Sequence, residues 1–306
     1  MRARFQSLYG PLLLMTAAAI WGGMYVVSAA VLVIIPPWIL LELRFLLGFW
    51  ALAIPLFWQK TWRVQWRHIP LLALVGFIGY TCSIGLQFIG TAISGATYGS
   101  LITSSAPLLI VLFAAIILRE HLTVKNSLGM LVAAAGVVII IGLPAIHSHT
   151  QNSAMGDMIL FAAAVTWALY TVLSRFLTQR YSSLTVAGWS SLFGAVFTLP
   201  IAIWQYSVTP IVLTFSPALI AGIVYLGVIS TAVAFYLWNK GFEYVSASSG
   251  SLYLFVQPIV GGVLGAMLLR ERLTPEYFTG AALIAVGVFI ASEYRFKGLP
   301  SPKEQV

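Results

Sequence analysis

The chain has 306 residues, of which 60% are hydrophobic and 8% are charged, and its mean hydropathy is +0.97. A soluble domain carries about 25% charged residues, so this composition excludes a conventional water-exposed surface. The net charge of +8 comes from basic residues scattered over short loops. That scatter argues against a nucleic-acid-binding stripe and favours a membrane protein with basic cytoplasmic loops.

Ten apolar segments of about 20 residues lie between clusters of Pro, Gly and charged residues, and each is long enough to cross a bilayer as a helix. The first continues to about Ile35, too long for the apolar core of a signal peptide, so we expect it to be retained. We expect tight connections near Gly90 and Gly241. The predicted spans are approximately residues 10–33, 38–58, 70–89, 95–117, 127–144, 157–176, 184–204, 216–238, 246–268 and 277–294.

Lys and Arg are distributed unequally between the predicted connections. If the N-terminus is cytoplasmic, thirteen of the sixteen fall on the inner side, and only Arg270 and Arg272 lie outside. The remaining one, Arg44, lies within a span. Because basic loops stay on the cytoplasmic side, we predict that both termini are cytoplasmic.

The sequence contains an internal repeat. LREHLT at residues 118–123 returns as LRERLT at 269–274, and the same shift of 151 residues relates Pro107 to Pro258. Near the start of each copy a shift of 146 relates Trp21 to Trp167. Each copy holds five predicted helices, an odd number, so the second must cross the membrane in the opposite sense. We therefore predict an all-α membrane protein with an inverted 5+5 repeat, its copies at residues 8–145 and 154–295, a design typical of secondary transporters.

Several of these motifs are familiar together. The ten-helix layout, the Leu-Arg-Glu-x-Leu-Thr after helices four and nine, Ala-Pro at 106–107, Gln-Pro at 257–258 and the Trp-Gly-Gly of helix one resemble EamA-type members of the drug/metabolite transporter superfamily. Helix six departs from helix one, because Trp167 is followed by Ala168 and Leu169 instead of a Gly pair. The resemblance covers about the whole chain. It implies a multi-pass bacterial plasma-membrane transporter of small metabolites, often amino acids, with a cavity lined by helices one, three, four, six, eight and nine.

Polar and aromatic residues recur at helical spacing on one face of several predicted spans. In a bundle surrounded by lipid such side chains turn toward the interior, although Ser and Thr in a span also serve packing and Trp and Tyr also anchor helix ends. An uncharged aromatic and hydroxyl surface suits a zwitterionic or neutral substrate with an apolar part. The candidate substrate-binding residues are Trp21, Tyr25, Tyr80, Gln87, Tyr98, Ser105, Trp167, Tyr170, Thr171, Tyr225, Thr231, Tyr253 and Gln257.

Three further residues, Glu42, Pro107 and Pro258, are candidates for other roles. Glu42 is the one acidic residue clearly within a span, so it is a candidate proton-coupling site, with placement at the membrane interface as the alternative. Arg44 lies on another side of the same helix, one to two turns from its outer end, where Arg can reach the interface. Arg44-Phe45 also resembles the family's Arg-Phe pair. Pro107 and Pro258 interrupt helices four and nine at matched positions and are candidate gating kinks or static bends.

These features favour a secondary transporter that moves amino acids or related metabolites by alternating access, as an exporter. A membrane-embedded enzyme is the alternative, but it needs a catalytic set at membrane depth, and all four histidines fall in predicted loops. A channel is a second alternative, but no filter-like segment occurs. We expect no metal and no cofactor. The expected partners are the lipid bilayer, a small-molecule substrate, a coupling proton and a second copy as a homodimer, with no nucleic acid.

Overall fold

The computed structural model describes residues 2–120, 123–139, 153–209, 216–269 and 275–291. Within these ranges the protein is all-α and contains no strand. Its α-helices are α1 Arg2–Leu32, α2 Pro37–Trp58, α3 Ile69–Gly76, α4 Ser83–Thr103, α5 Ala106–Ile117, α6 Val124–Val137, α7 Ser153–Thr178, α8 Ser183–Val208, α9 Pro217–Val224, α10 Ala234–Gly241, α11 Ala247–Ser251, α12 Val256–Leu269 and α13 Pro275–Ala291. Short 3₁₀ helices at Trp66–His68 and Leu252–Phe255 precede α3 and α12.

The described helices include seven that are long and apolar enough to cross a membrane. Large apolar side chains such as Trp204 and Phe289, 61% and 73% exposed, stay on the outer faces of the helices, as expected where the exterior contacts lipid. Three shorter apolar helices are Ala106–Ile117, Val124–Val137 and Tyr277–Ile290. The seven long ones are Leu8–Leu32, Pro37–Trp58, Trp66–Thr91, Ala154–Thr178, Ser183–Val208, Pro217–Gly241 and Ala247–Leu268.

The prediction of a tight connection near Gly90 is wrong. α4 continues through this residue without a break, and the chain turns only at Ser104 and Ser105, before α5. A Cβ at Gly90 would lie 2.6 Å from Leu160 Cγ in α7, so glycine is needed here for close helix contact and not for a turn. The connection predicted near Gly241 is confirmed, because α10 ends there and α11 begins at Ala247.

Among the described residues, two complete π-helical segments join α-helices. The first, Phe77–Cys82, joins α3 to α4, and the second, Tyr225–Val233, joins α9 to α10. A π segment widens the backbone turn and is frequently found at functional sites. In the second one, Thr231 Oγ1 donates a hydrogen bond to Leu226 O at 2.8 Å, which holds the side chain against its own helix.

Helices from the beginning and the end of the chain interleave. α1 packs on α10 and α12, α7 packs on α4 and α5, and α2 packs on α8 and on the second π segment. α6 and α13 pack so closely that a Cβ at Gly287 would lie 2.5 Å from Gly129 O. Small residues allow this approach, and van der Waals contact is the main attraction between helices in lipid.

Candidate functional site: a cavity between the two halves of the chain

A cavity opens where α1, α2, α4 and α5 meet α7, α10 and the segment that leads into α12. The volume of the cavity is about 50 Å³, enough for a few water molecules. Most of its walls are aromatic or aliphatic, with a small number of polar groups. It is lined by Trp21, Met24, Tyr25, Arg44, Ser83, Ile84, Gln87, Thr103, Ser104, Ala106, Pro107, Ala163, Ala164, Trp167, Phe235, Leu254, Phe255 and Gln257.

Aromatic rings from both halves of the chain meet at one side of this cavity. The Trp21 ring is edge-on to Trp167, with centroids 5.0 Å apart and planes at 89°, and edge-on to Phe235 and Trp238, each at 5.3 Å. Edge-to-face packing at this separation is a favourable arrangement of aromatic quadrupoles. Trp21 Nε1 also donates a hydrogen bond to Ser230 O at 2.9 Å, so both this bond and the ring contacts fix the orientation of the indole.

Tyr80 and Tyr170 support this aromatic cluster from behind. Both are fully buried, and the Tyr80 and Phe235 ring centroids are only 4.3 Å apart. Asn239 Nδ2 donates to Tyr170 Oη at 3.2 Å, and Trp238 Nε1 donates to Thr171 Oγ1 at 3.4 Å. The three predicted site residues Tyr80, Tyr170 and Thr171 therefore do not line the cavity but pack around the residues that do.

Arg44 is the charged residue of the cavity wall. It is 1% exposed, its Nε donates to Thr231 Oγ1 at 2.6 Å, and its Nη2 donates to Ser230 Oγ at 3.2 Å. The remaining nitrogen, Nη1, is buried and has no hydrogen-bond partner among the described residues. Arg44 therefore does not reach toward an interface, as its position near the helix end suggested, but points into the protein.

The other predicted site residues are divided between the wall and its surroundings. Gln87, Gln257 and Pro107 line the cavity, and Gln87 Nε2 donates to the Tyr25 hydroxyl at 2.7 Å. Two other residues bond to nearby carbonyls: Ser105 Oγ donates to Ile102 O and Tyr225 Oη donates to Ile20 O.

Of the last four candidates, three do not line the cavity, and the side chain of the fourth is outside the described residues. Tyr253 and Glu42 are buried, 6% and 7% exposed, and neither lines the cavity; nor does Pro258. Tyr98 is in α4, but its side chain is outside the described residues.

Several lining residues are absent from the sequence-based site. Arg44, Met24, Ile84 and Phe235 are the clearest examples. Apolar residues that line a cavity cannot be told from lipid-facing ones by type alone. The repeat did hold a signal, because the shift of 151 residues relates Ile84 to Phe235, and both line the cavity.

A helical bundle around a buried, partly aromatic cavity is an arrangement in which multi-pass membrane proteins bind small molecules. Within the described ranges, no group of three or more His, Cys, Asp or Glu is placed to hold a metal ion. Residues 8–142 and 154–293 each match the EamA-like transporter family, and the chain belongs to this family. The resemblance noted in the sequence motifs is thereby confirmed.

Individual relatives agree with this assignment. The uncharacterized transporter YetK of Bacillus subtilis is 31% identical over 90% of this chain and 84% of its own length. A protein of Streptantibioticus cattleyicolor named "Probable terminal-alkyne amino-acid exporter" is 30% identical over 74% of each chain. A solved crystal structure with 24% identity has the same fold, with a TM-score of 0.79 over 92% of this chain and 96% of the other.

Proposed function

We propose that this protein is a secondary transporter that exports amino acids or related small metabolites across the bacterial plasma membrane by alternating access. The observation that carries the proposal is the cavity, because its wall is built from both halves of the chain. Trp21 and Trp167, related by the internal repeat, meet edge to face at its aromatic side, with ring centroids 5.0 Å apart. A site shared by two halves can change its exposure when the halves rock against each other.

The proposal includes ten spanning helices in an inverted 5+5 repeat. The seven long helices and three shorter apolar ones correspond, in chain order, to the ten predicted spans. The shift of 151 residues carries the first π segment, Phe77–Cys82, onto positions 228–233 of the second. Contacts between the halves also occur in pairs, since α1 packs on α12 as α7 packs on α5, and α2 packs on the second π segment as α8 packs on the first.

A polar network closes one end of the bundle, which the distribution of Lys and Arg assigns to the cytoplasmic side together with both termini. Glu120 accepts hydrogen bonds from the backbone N–H groups of Ala247 and Ser248, each at 2.9 Å, and from Ser248 Oγ at 2.8 Å. Arg175 lies 3.2 Å from Glu120 and donates to Phe242 O and Val245 O. The contacts of Glu120 join the first half to the second half, so they would have to separate when the cavity opens on this side.

The substrate class rests on the cavity wall and on one relative. Aromatic rings beside amide and hydroxyl groups suit a small molecule with an apolar part and a polar end. The name of the Streptantibioticus cattleyicolor relative supports an amino acid. Glu42, which is buried with Oε2 unbonded among the described residues, is proposed as the coupling carboxylate, and a homodimer is the proposed assembly.

Flux in proteoliposomes tests the transport proposal. Radiolabelled L-phenylalanine and a panel of other amino acids would be loaded, and saturable flux compared for the wild type, Trp167→Ala and Trp204→Ala. Trp204 is the matched control, because it is a tryptophan exposed on the outer face. We expect flux to fall at least about tenfold in Trp167→Ala and to persist in Trp204→Ala. Equal flux in both variants would overturn the cavity as the site, and no flux of any amino acid in folded wild-type protein would overturn the substrate class.

The coupling proposal needs its own comparison. The same flux is measured with and without a pH gradient in the wild type and in Glu42→Gln. If Glu42 carries the proton, the gradient accelerates flux in the wild type and has no effect in the variant, whereas gradient dependence that survives the substitution assigns coupling elsewhere.

A further inference from the structure

We propose that Arg44 is the anion receptor of the cavity and binds the carboxylate of the transported substrate. This inference rests on the proposed function and narrows its substrate class to small carboxylates with an apolar or aromatic part, amino acids included. The argument starts from the hydrogen-bond capacity of the guanidinium group.

Two of the five N–H groups of Arg44 are used within the protein. A guanidinium group has one hydrogen on Nε and two on each Nη nitrogen, all of them donors. Nε bonds to Thr231 and Nη2 to Ser230, while Nη1 has no partner among the described residues. Among the described residues, both hydrogens of Nη1 and one of Nη2 are therefore unbonded, on the edge of the group that a carboxylate can bind with two parallel hydrogen bonds.

The charge of Arg44 is not balanced by a carboxylate in the described protein. Its two partners are neutral hydroxyls, and the described ion pairs join Arg175 to Glu120 and Lys240 to Glu243. Glu42 is two positions away on the same helix and therefore points to a different side. Burying an unpaired charge is costly, and an anion that pairs with Arg44 offsets part of that cost.

The second π segment fixes Arg44 in place. Thr231 Oγ1 gives its own hydrogen to Leu226 O, so it can only accept from Arg44 Nε. Ser230 accepts from Arg44 through its hydroxyl and from Trp21 through its carbonyl. One short segment thus positions both the charged group and an aromatic ring of the cavity before any ligand arrives, which is the preorganisation that a specific site requires.

The rest of the wall complements a carboxylate that carries an apolar group. Trp167, Phe235 and Ile84 provide an apolar and aromatic surface. The face of the Trp167 ring also attracts an ammonium group by cation–π interaction. The positive charge of Arg44 disfavours purely cationic compounds at the same place. The cavity is therefore selective for molecules with a negative end.

Binding of matched ligands tests the assignment. The probes are L-phenylalanine, 3-phenylpropionate and L-phenylalaninamide, which differ in whether a carboxylate is present. Affinity is measured by tryptophan fluorescence on purified protein, for the wild type, Arg44→Gln and Arg44→Lys, with Arg180→Gln as a control at an exposed arginine away from the cavity wall. Gel filtration and thermal unfolding establish that each variant is folded.

We expect the wild type to bind the two carboxylates about 10- to 100-fold more tightly than the amide, since a hydrogen-bonded charge pair is worth this much. Arg44→Gln should abolish the preference, Arg44→Lys should restore part of it, and Arg180→Gln should keep it. A preference unchanged in Arg44→Gln, or a wild type without preference, overturns the carboxylate site. If 3-phenylpropionate binds through Arg44 but no amino acid is bound or transported, the anion receptor stands and the amino-acid assignment falls.

Discussion

Two arginines of the bundle, the buried Arg44 and the partly exposed Arg175, differ in their surroundings. Arg175 lies at one end of the bundle beside Glu120. It donates hydrogen bonds to the backbone carbonyls of Phe242 and Val245, in the connection between α10 and α11. Arg44 sits in the middle of the bundle beside the cavity, with two hydroxyl partners and an unbonded nitrogen. The two arginines differ in charge compensation, because Arg175 lies beside a carboxylate whereas the described partners of Arg44 are neutral hydroxyls.

The largest expected effect is a difference in the free energy of unfolding between variants of the two arginines. Arg175→Gln leaves Glu120 without its cation and should lower the free energy of unfolding by about 3 kcal/mol. Arg44→Gln removes a charge that no carboxylate balances and should change it by less than about 1 kcal/mol. Both values are measured by unfolding in detergent. Equal losses in the two variants would show that Arg44 is as structural as Arg175, and the contrast would disappear.

A glycine next to Arg44 gives the next effect. A Cβ at Gly48 would lie 2.6 Å from Thr231 Cγ2, so Gly48→Ala should move the partner of Arg44 Nε and lower stability by about 2 kcal/mol. Gly287→Ala is the matched control, since it creates a similar clash between α6 and α13. Both should lower the unfolding temperature, but only Gly48→Ala should reduce the preference for L-phenylalanine over its amide. Loss of preference in both would mean that the effect follows general destabilisation.

A smaller effect is expected from the hydroxyl that holds Arg44. Thr231→Val keeps the shape of the side chain and removes the acceptor, so KM for L-phenylalanine should rise about tenfold. Thr198→Val removes a hydroxyl that is equally buried but bonds to Thr81 at 3.2 Å, away from the cavity wall, and should leave KM unchanged. Equal KM values in the two variants would remove Thr231 from the positioning of Arg44.

The smallest effect belongs to the second described ion pair. Lys240 and Glu243 are 2.5 Å apart, with side chains 28% and 25% exposed. Glu243→Gln should therefore cost no more than about 1 kcal/mol. Unfolding measured beside Arg175→Gln gives the comparison, and a loss as large as that of Arg175→Gln would contradict the ranking by burial.

The sequence predicts those site residues that are matched by the internal repeat or recur at helical spacing. Trp21 and Trp167 stand out because they are matched aromatic residues in mid-span, and the structure brings them into contact. Arg44 could not be placed in the same way, because the direction of its side chain depends on which helix packs against α2. That neighbour is a π segment whose geometry no apolar pattern reveals.

The error at Gly90 has a related cause. Glycine serves equally in a turn and where two helices touch, and the contact with Leu160 in α7 decides between them. Long-range packing settles such positions, and a single sequence does not encode it in a local pattern.

The most direct measurement is a structure of the protein with bound 3-phenylpropionate or L-phenylalanine. We predict that the carboxylate lies about 2.7–3.2 Å from Arg44 Nη1 and that the aromatic ring packs against Trp21 and Trp167. A ligand bound elsewhere, with Arg44 still bonded only to Ser230 and Thr231, would contradict the cavity as the substrate site.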